Sequence, residues 1–227
     1  MNNLVLFDIG AVQIRLNYRS MFDELGRLSC MRMEEAKAAY VASGIENEAM
    51  KGSVPVCTYF DTVRKIFGLE ASDDEMRRIL SLSWEGYVRP VMELKRRLIK
   101  AGYYVGNFSN ISQFAMDVIG SMCPDIFGSD NSYPGIYSYR VGGIKPNSQM
   151  YQRVTGFNDV IYIDDNIRYV AKGHEMGWKC ILFTPFADPS EAVRSSQQDE
   201  EVHSSGFKVA NSEEELALAL SGFGLKF

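Results

Sequence analysis

The sequence predicts an α/β protein: a three-layer, Rossmann-like parallel sheet core with a small helical cap inserted after the first strand. Three observations predict it. Apolar runs of strand length recur at 4–7, 103–105, 160–163 and 178–183. Helix-like segments alternate with them from residue 88 onward, and this alternation implies a parallel sheet covered on both faces. Between 17 and 87 the alternation stops. Short helical patterns there are separated by Gly44, Gly52, Pro55 and Gly68, as in a small helical bundle. The expected division is a core of 1–16 and 88–227 and a cap of 17–87.

The elements follow in order. Leu4 to Phe7 is an uninterrupted apolar run ending at Asp8, the pattern of a strand buried on both faces. In the cap, Ser72 followed three residues later by Glu75 marks a helix start, because each side chain can satisfy a free backbone N–H of the other. Pro90 opens an amphipathic helix through Val91, Leu94, Leu98 and Ile99, closed at Gly102. The strand at 103–105 runs into a polar turn, Gly106-Asn107-Phe108-Ser109-Asn110, and then a helix over 111–122. Residues 128–143 are rich in Gly, Ser, Tyr and Asn and predict a loop with a short strand at 137–140. A helix follows over 148–155. The strand at 160–163 ends at Asp164-Asp165. A helix over 167–176 is stopped by Gly177, and the strand at 178–183 comes next. Residues 187–206 are polar and predict a mobile surface excursion. A short strand at 207–210 and a helix opened by Ser212-Glu213-Glu214-Glu215 complete the chain.

Composition narrows the function classes. The 227 residues suit one core domain with a modest insertion, and 46% hydrophobic with 23% charged residues suits a globular core without staples. The net charge of −5 and the absence of a basic patch argue against nucleic acid. No apolar stretch approaches the ~18 residues that a membrane span needs. No basic leader precedes the first strand, and Cys30, Cys57, Cys123 and Cys180 form no C-x-x-C pair. A cytoplasmic monomer or homodimer is the expectation.

Ligands of open α/β sheets bind at the carboxyl ends of the strands. Here those ends carry Asp8, the segment 107–110 and Asp164-Asp165. Three carboxylates brought to one place repel unless a cation sits among them, and hard oxygen ligands favour Mg²⁺. Lys145, before Pro146, can bring positive charge to the same point. A carboxylate nucleophile, a divalent cation and a lysine are what phosphoryl transfer requires, since the cations neutralise the phosphate that an anion must approach.

Phe7-Asp8-Ile9-Gly10, Asn107-Phe108-Ser109-Asn110, Lys145-Pro146 and Asp164-Asp165-Asn166 resemble, in order, the four motifs of the haloacid dehalogenase (HAD) superfamily. The resemblance spans nearly the whole chain. Trp84, Arg89-Pro90 and the Gly177-Trp178 pair are most similar to the F-D-[LI]-G branch, which includes bacterial α-D-glucose-1-phosphate phosphatases. The resemblance implies a Mg²⁺-dependent phosphatase acting on a small phosphorylated metabolite such as a sugar phosphate. It implies Asp8 as the nucleophile that forms an aspartyl-phosphate, with Asp8, the Gly10 carbonyl, Asp164 and Asp165 as metal ligands. Lys145 would bridge nucleophile and phosphate. Asn107, with Phe108 and Ser109, would stand where the family holds a phosphate oxygen.

Two departures from the family pattern stand out. Position 10 is Gly where phosphatases carry a second Asp as general acid and base, a group worth about 10²–10⁴ in rate. Asn107 replaces a Ser or Thr, unless the register shifts by two and places Ser109 there. In place of the missing acid, water would be activated by the metal or by a cap residue, with Glu46, Glu48 and Lys51 as the cap candidates. Two other readings stay open: a catalytically weakened protein that binds a phosphorylated ligand or a protein partner, and a 2-haloacid dehalogenase. Blander roles compete for several residues. One of Asp164 and Asp165 is expected to cap the following helix, and Asn110 to cap the helix after it. Packing is favoured over substrate contact for Trp84 and Tyr87, and competes equally for Tyr133, Tyr137 and Tyr139.

Overall fold

The computed structural model describes residues 3–127, 132–186 and 206–227. Most of the predicted excursion at 187–206, and 128–131 of the predicted loop, lie outside the described residues. The sheet consists of β1 (Asn3–Phe7), β4 (Tyr104–Ser109), β5 (Ile136–Tyr137), β6 (Asp159–Asp164), β7 (Lys179–Phe183) and β8 (Lys208–Ala210). All pairs are parallel, in the order β5-β4-β1-β6-β7-β8. The chain leaves β1 toward β4 and β5, then returns to the far side of β1 as β6. The crevice beyond the carboxyl ends of β1 and β6 is therefore the switch point where ligands of such sheets bind.

The apolar runs are continuous because both faces of the sheet are covered. Val5, Phe7, Ile161 and Ile163 face α6 (Arg89–Lys100) and α11 (Glu213–Gly222), meeting Val91, Leu94, Leu98, Leu216 and Leu220. Leu4, Leu6, Phe108 and Tyr162 face the other way, onto Met150 and Tyr151 of α9 (Ser148–Tyr151) and Val170 of α10 (Ile167–Glu175). The alternation is the two-residue period of a strand.

The inserted region holds α1 (Tyr18–Ser29), α2 (Met33–Ser43), α3 (Ile45–Met50), α4 (Val56–Phe67) and α5 (Asp73–Ser81). These helices share an apolar core built from side chains such as Phe22, Leu25, Phe60, Val63, Phe67 and Ile79. Phe114 and Val118 of α7 (Gln113–Met122) close it from below. Ser72 and Glu75 form the reciprocal cap of α5 that their spacing predicts. An antiparallel ribbon that the sequence reading does not include joins this region to the sheet. In it β2 (Ile14–Leu16) pairs with β3 (Trp84–Tyr87).

Three further elements differ from expectation. β4 does not end at 105 but continues to Ser109, with Asn107 paired to Phe7 across the ladder. Residues 138–141 form a helical turn, α8 (Ser138–Val141), after the two-residue β5. The helix predicted over 148–155 stops at Tyr151. Among the described residues, no helix is long and apolar enough to cross a membrane.

Candidate active site

Asp8 leaves the end of β1 with its backbone fixed on both sides. Its N–H donates to the Ile163 carbonyl at 2.9 Å, and its own carbonyl accepts from Gln13 Nε2 at 2.9 Å. Lys145 reaches the same point from the loop after α8. Asn110 holds that loop: Lys145 N–H donates to Asn110 Oδ1 at 2.7 Å, and Asn110 Nδ2 donates to the Lys145 carbonyl at 3.2 Å. Asn110 is thus a clamp on Lys145, and the following helix is capped by Ser112 instead.

The ammonium of Lys145 is almost fully buried and lies among four acceptors. They are Asp164 Oδ2 at 2.6 Å, Asp8 Oδ1 at 2.9 Å, and Tyr162 Oη and the Phe108 carbonyl, both at 3.0 Å. A lysine has three protons to give, so its hydrogen-bonding capacity is filled. Burial by itself lowers the basicity of such an amine. The carboxylates of Asp164 and Asp8 outweigh it and hold Lys145 above its ordinary value, so it stays charged. The Tyr162 hydroxyl, two residues before Asp164 on the same strand face, also bonds to Asp164 Oδ2.

Asp8, Asp164 and Asp165 each offer an oxygen, and these three atoms lie within 4.8 Å of one another. With one ammonium among three carboxylates, the ionised cluster is left with excess negative charge. Burial, followed by the carboxylates of Asp164 and Asp8, pushes Asp165 well above the ordinary range; burial and Asp8 also raise Asp164 against the pull of Lys145. A hard divalent cation relieves this arrangement, so the donor set fits Mg²⁺. Neither aspartate caps the next helix, as the sequence reading expects of one of them. Asn166 does so, its Oδ1 accepting from Arg168 N–H at 3.0 Å, while Asp164 Oδ1 accepts from Asn166 N–H at 2.8 Å.

A cavity of about 240 Å³ opens above this cluster. Asp8, Gly10, Ser109, Asn110, Lys145 and Asp165 line its floor, and Tyr18, Tyr40, Glu46, Asn47, Tyr59, Trp84 and Phe114 line its roof and walls. Trp84 both packs, with its ring 5.8 Å from that of Phe114, and borders the cavity. Tyr87, Tyr133, Tyr137 and Tyr139 do not border it. Glu48 and Lys51 form an ion pair at 2.8 Å on the outer surface.

Asn107 is corrected by the structure. Because β4 continues to Ser109, Asn107 points into the core, fully buried. Its Oδ1 accepts from Gln13 Nε2 and Lys95 Nζ, both at 3.0 Å, and its Nδ2 donates to the Ile126 carbonyl at 2.9 Å and Tyr137 Oη at 3.2 Å. The residue at the strand end that borders the cavity is Ser109. Phe108 likewise keeps its side chain in the core; its carbonyl accepts from Lys145, and its ring lies 5.5 Å from the same ammonium. Sequence reasoning does not single out Tyr162, Tyr18, Tyr40 or Tyr59. For Tyr162 a signal exists: its two-residue spacing from Asp164 on one strand.

No family model matches the chain, and no curated protein matches its sequence. Solved structures do. A HAD family enzyme from Bacteroides thetaiotaomicron superposes with a TM-score of 0.72 at 20% identity, covering 86% of this chain and 98% of that one. The same enzyme in complex with magnesium and inorganic phosphate gives 0.72 at 19% identity, over 85% and 98% of the two chains. A HAD phosphatase from Thermococcus onnurineus gives 0.62 at 13% identity, over 98% and 99%. The sheet order, the inserted helices and these superpositions together establish that the chain has the HAD-like fold.

Proposed function

We propose that this chain is a Mg²⁺-dependent phosphatase that hydrolyses a small phosphorylated metabolite through an aspartyl-phosphate on Asp8, with 17–87 acting as its cap. The observation that carries the reading is Lys145. Its buried ammonium joins Asp8 and Asp164 at the floor of a cavity whose third carboxylate, Asp165, completes a site for a divalent cation. The structural neighbour solved with magnesium and inorganic phosphate supports the same choice of ion and ligand.

The residues divide the work. Lys145 holds Asp8 through Oδ1, which leaves Oδ2 to attack phosphorus from the floor of the cavity. Its positive charge also offsets that of the incoming phosphate. The Ser109 hydroxyl and the backbone beside it hold a phosphate oxygen at the end of β4. Asp8, the Gly10 carbonyl, Asp164 and Asp165 would hold Mg²⁺, which when bound neutralises charge on the phosphoryl group. The cavity of about 240 Å³ is at the small end for ligand sites, which favours a metabolite over a macromolecule. Trp84 and Phe114 give an aromatic wall, and Glu46, Asn47 and the tyrosine hydroxyls give polar partners. That combination suits a polyhydroxylated substrate such as a sugar phosphate.

The weakened binding-protein reading draws on position 10. A Cβ built on Gly10 would come within 3.3 Å of Leu16 Cδ1, so that part of the wall is filled by an apolar side chain. Hydrolysis of p-nitrophenyl phosphate and a panel of sugar phosphates, with Mg²⁺ and with EDTA, separates the readings. Turnover that needs Mg²⁺ and disappears in Asp8→Asn supports the phosphatase. Folded wild-type protein that binds phosphate but turns over no ester supports the binding protein. Halide release from a 2-haloacid in EDTA would point to the dehalogenase instead.

A further inference from the structure

We propose that Glu46, on the cap, is the acid–base group of the hydrolysis, in place of the acid that position 10 lacks. The inference rests on the phosphatase reading and names the proton carrier that reading leaves open.

The geometry of an in-line displacement sets where this group must stand. Asp8 attacks from the floor, so the departing oxygen lies on the opposite side of the phosphorus and faces the roof. The roof carries Glu46. Its helix, α3, starts at Gly44, whose φ of +65° turns the chain sharply out of α2. Ile45 and Ala49 pack into the cap core, and Glu46 and Met50, four residues apart on one helix face, border the cavity together with Asn47 and Ala49. The region after α3 is held down on the sheet domain. A Cβ built on Gly52 would lie 2.2 Å from the Tyr139 carbonyl, so cap and core are in direct backbone contact there.

Among the described residues, Glu46 has no ion pair and no hydrogen bond, unlike Glu48, which is tied to Lys51. The titratable groups that face it are Tyr18 of α1, Tyr40 of α2 and Tyr59 of α4. Asp8, Asp165 and Lys145 face it across the cavity. With no cation beside it, burial pushes its carboxyl up to about 7, where it can both give and take a proton near neutrality. Glu46 also borders a second, smaller cavity of about 120 Å³ lined by Tyr40, Val41, Gly44 and Asn47. Val41 is 65% exposed, so this side offers the carboxyl a route for exchanging its proton with solvent.

The steps balance. The Asp8 carboxylate bonds to phosphorus, the ester P–O bond breaks, and the departing oxygen takes the proton of the Glu46 carboxylic acid. Water then attacks phosphorus while the Glu46 carboxylate takes its proton. The bond from phosphorus to Asp8 breaks, and phosphate leaves with both carboxyl groups restored to their starting states.

Pre-steady-state kinetics with p-nitrophenyl phosphate and unsubstituted phenyl phosphate tests this in Mg²⁺-loaded wild type, Glu46→Gln and Glu46→Asp. The two esters have nearly one shape, but nitrophenolate leaves without a proton and phenolate needs one more. The expected Glu46→Gln enzyme gives a fast nitrophenolate burst, followed by turnover slowed about 10²–10⁴-fold, and no burst with phenyl phosphate. It also loses the inflection of kcat near pH 7, and Glu46→Asp regains part of the rate. Wild-type turnover with Glu46→Gln equal to it on both esters overturns the role of Glu46 and leaves the phosphatase standing. Absence of turnover in wild type on either ester removes the phosphatase reading, and this proposal with it.

Discussion

Gln13 Nε2 donates to Asn107 Oδ1 at 3.0 Å in the middle of the core, and both side chains are fully buried. Asn107, one of the two departures from the family pattern, is therefore accounted for by a second buried amide. Lys95 Nζ adds a bond to Gln13 Oε1 at 2.8 Å, and Gln13 passes the connection on to the Asp8 carbonyl. A polar network below the sheet end thus fixes the backbone of the proposed nucleophile. Removing Asn107 leaves a buried Gln13 N–H without its partner, and removing Gln13 takes one from the Asp8 carbonyl, at about 1–3 kcal/mol each. Gln13→Leu and Asn107→Leu should each destabilise by that order. The double variant should cost less than the sum by ~0.5–3 kcal/mol, as expected for residues in contact. Urea unfolding of the four proteins measures this cycle. Because Asn107 lies outside the cavity, Asn107→Leu should leave KM for p-nitrophenyl phosphate nearly unchanged, whereas Ser109→Ala should raise it. A KM increase confined to the Asn107 variant would return that residue to the substrate site.

Tyr162 sits between Lys145 and Asp164 and bonds to both. Tyr162→Phe keeps the ring, which packs edge-on against Phe108 and Trp178, and removes only the hydroxyl. A hydrogen bond to a charged group contributes about 1.5–3 kcal/mol, so kcat should fall roughly 10- to 100-fold if the hydroxyl sets the geometry of the lysine. KM and the unfolding slope should change little. An unchanged kcat would mean that the two carboxylates position Lys145 without help.

The parts of this arrangement that were legible in the sequence are those read from one strand at a time. Asp8, Asp164 and Asp165 follow continuous apolar runs, and a parallel sheet brings such ends to one edge whatever the loops do. Lys145 was legible only through its place among the ordered motifs, since a lysine in a loop carries no signal of its own. The second strand was misjudged because Gly106 and Asn107 are turn-forming residues, and only the tertiary network around Asn107 makes them strand. The two-residue offset between Asn107, which the motif order favours, and Ser109, which borders the cavity, follows directly. β2 and β3 are three and four residues long, too short for periodicity to show. The cavity roof was the least legible. Tyr18, Tyr40, Glu46 and Tyr59 come from four different helices, and no spacing along the chain records how those helices face one another.

The acidic cluster predicts a metal-dependent stability. Asp165 is held above its ordinary range by burial and by Asp164 and Asp8, which means the cluster stores repulsion when no cation is bound. Mg²⁺ should raise the melting temperature of wild type, by an amount that reflects about 2.7 kcal/mol when the ion is at 100 times its Kd. Asp165→Asn should melt higher than wild type in EDTA, because it carries neither the repelling charge nor the need to take up a proton to relieve it, and should gain little from Mg²⁺. Thermal melts of both proteins with EDTA and with a Mg²⁺ series provide the check. Equal Mg²⁺ increments in the two would remove Asp165 from the ligand set.

Glu46 makes a prediction that does not depend on any substrate. An unfolded glutamate titrates near ~4.3, and in the folded protein burial raises the carboxyl to about 7. Between those values the folded state binds a proton that the unfolded state has lost. Stability must therefore fall as pH rises through that window, with the full loss reached above pH 7. Glu46→Gln has no such proton to lose. Its stability should match wild type near pH 4 and exceed it at pH 8 by about 1–3 kcal/mol, a range kept below the full linkage value because the side chain is partly exposed. Urea unfolding of both proteins in EDTA across pH 4 to 8 measures the divergence. Two curves that stay parallel would show that Glu46 ionises in the cap as freely as it does in the unfolded chain, and would leave it without the proton that the proposed leaving-group step requires.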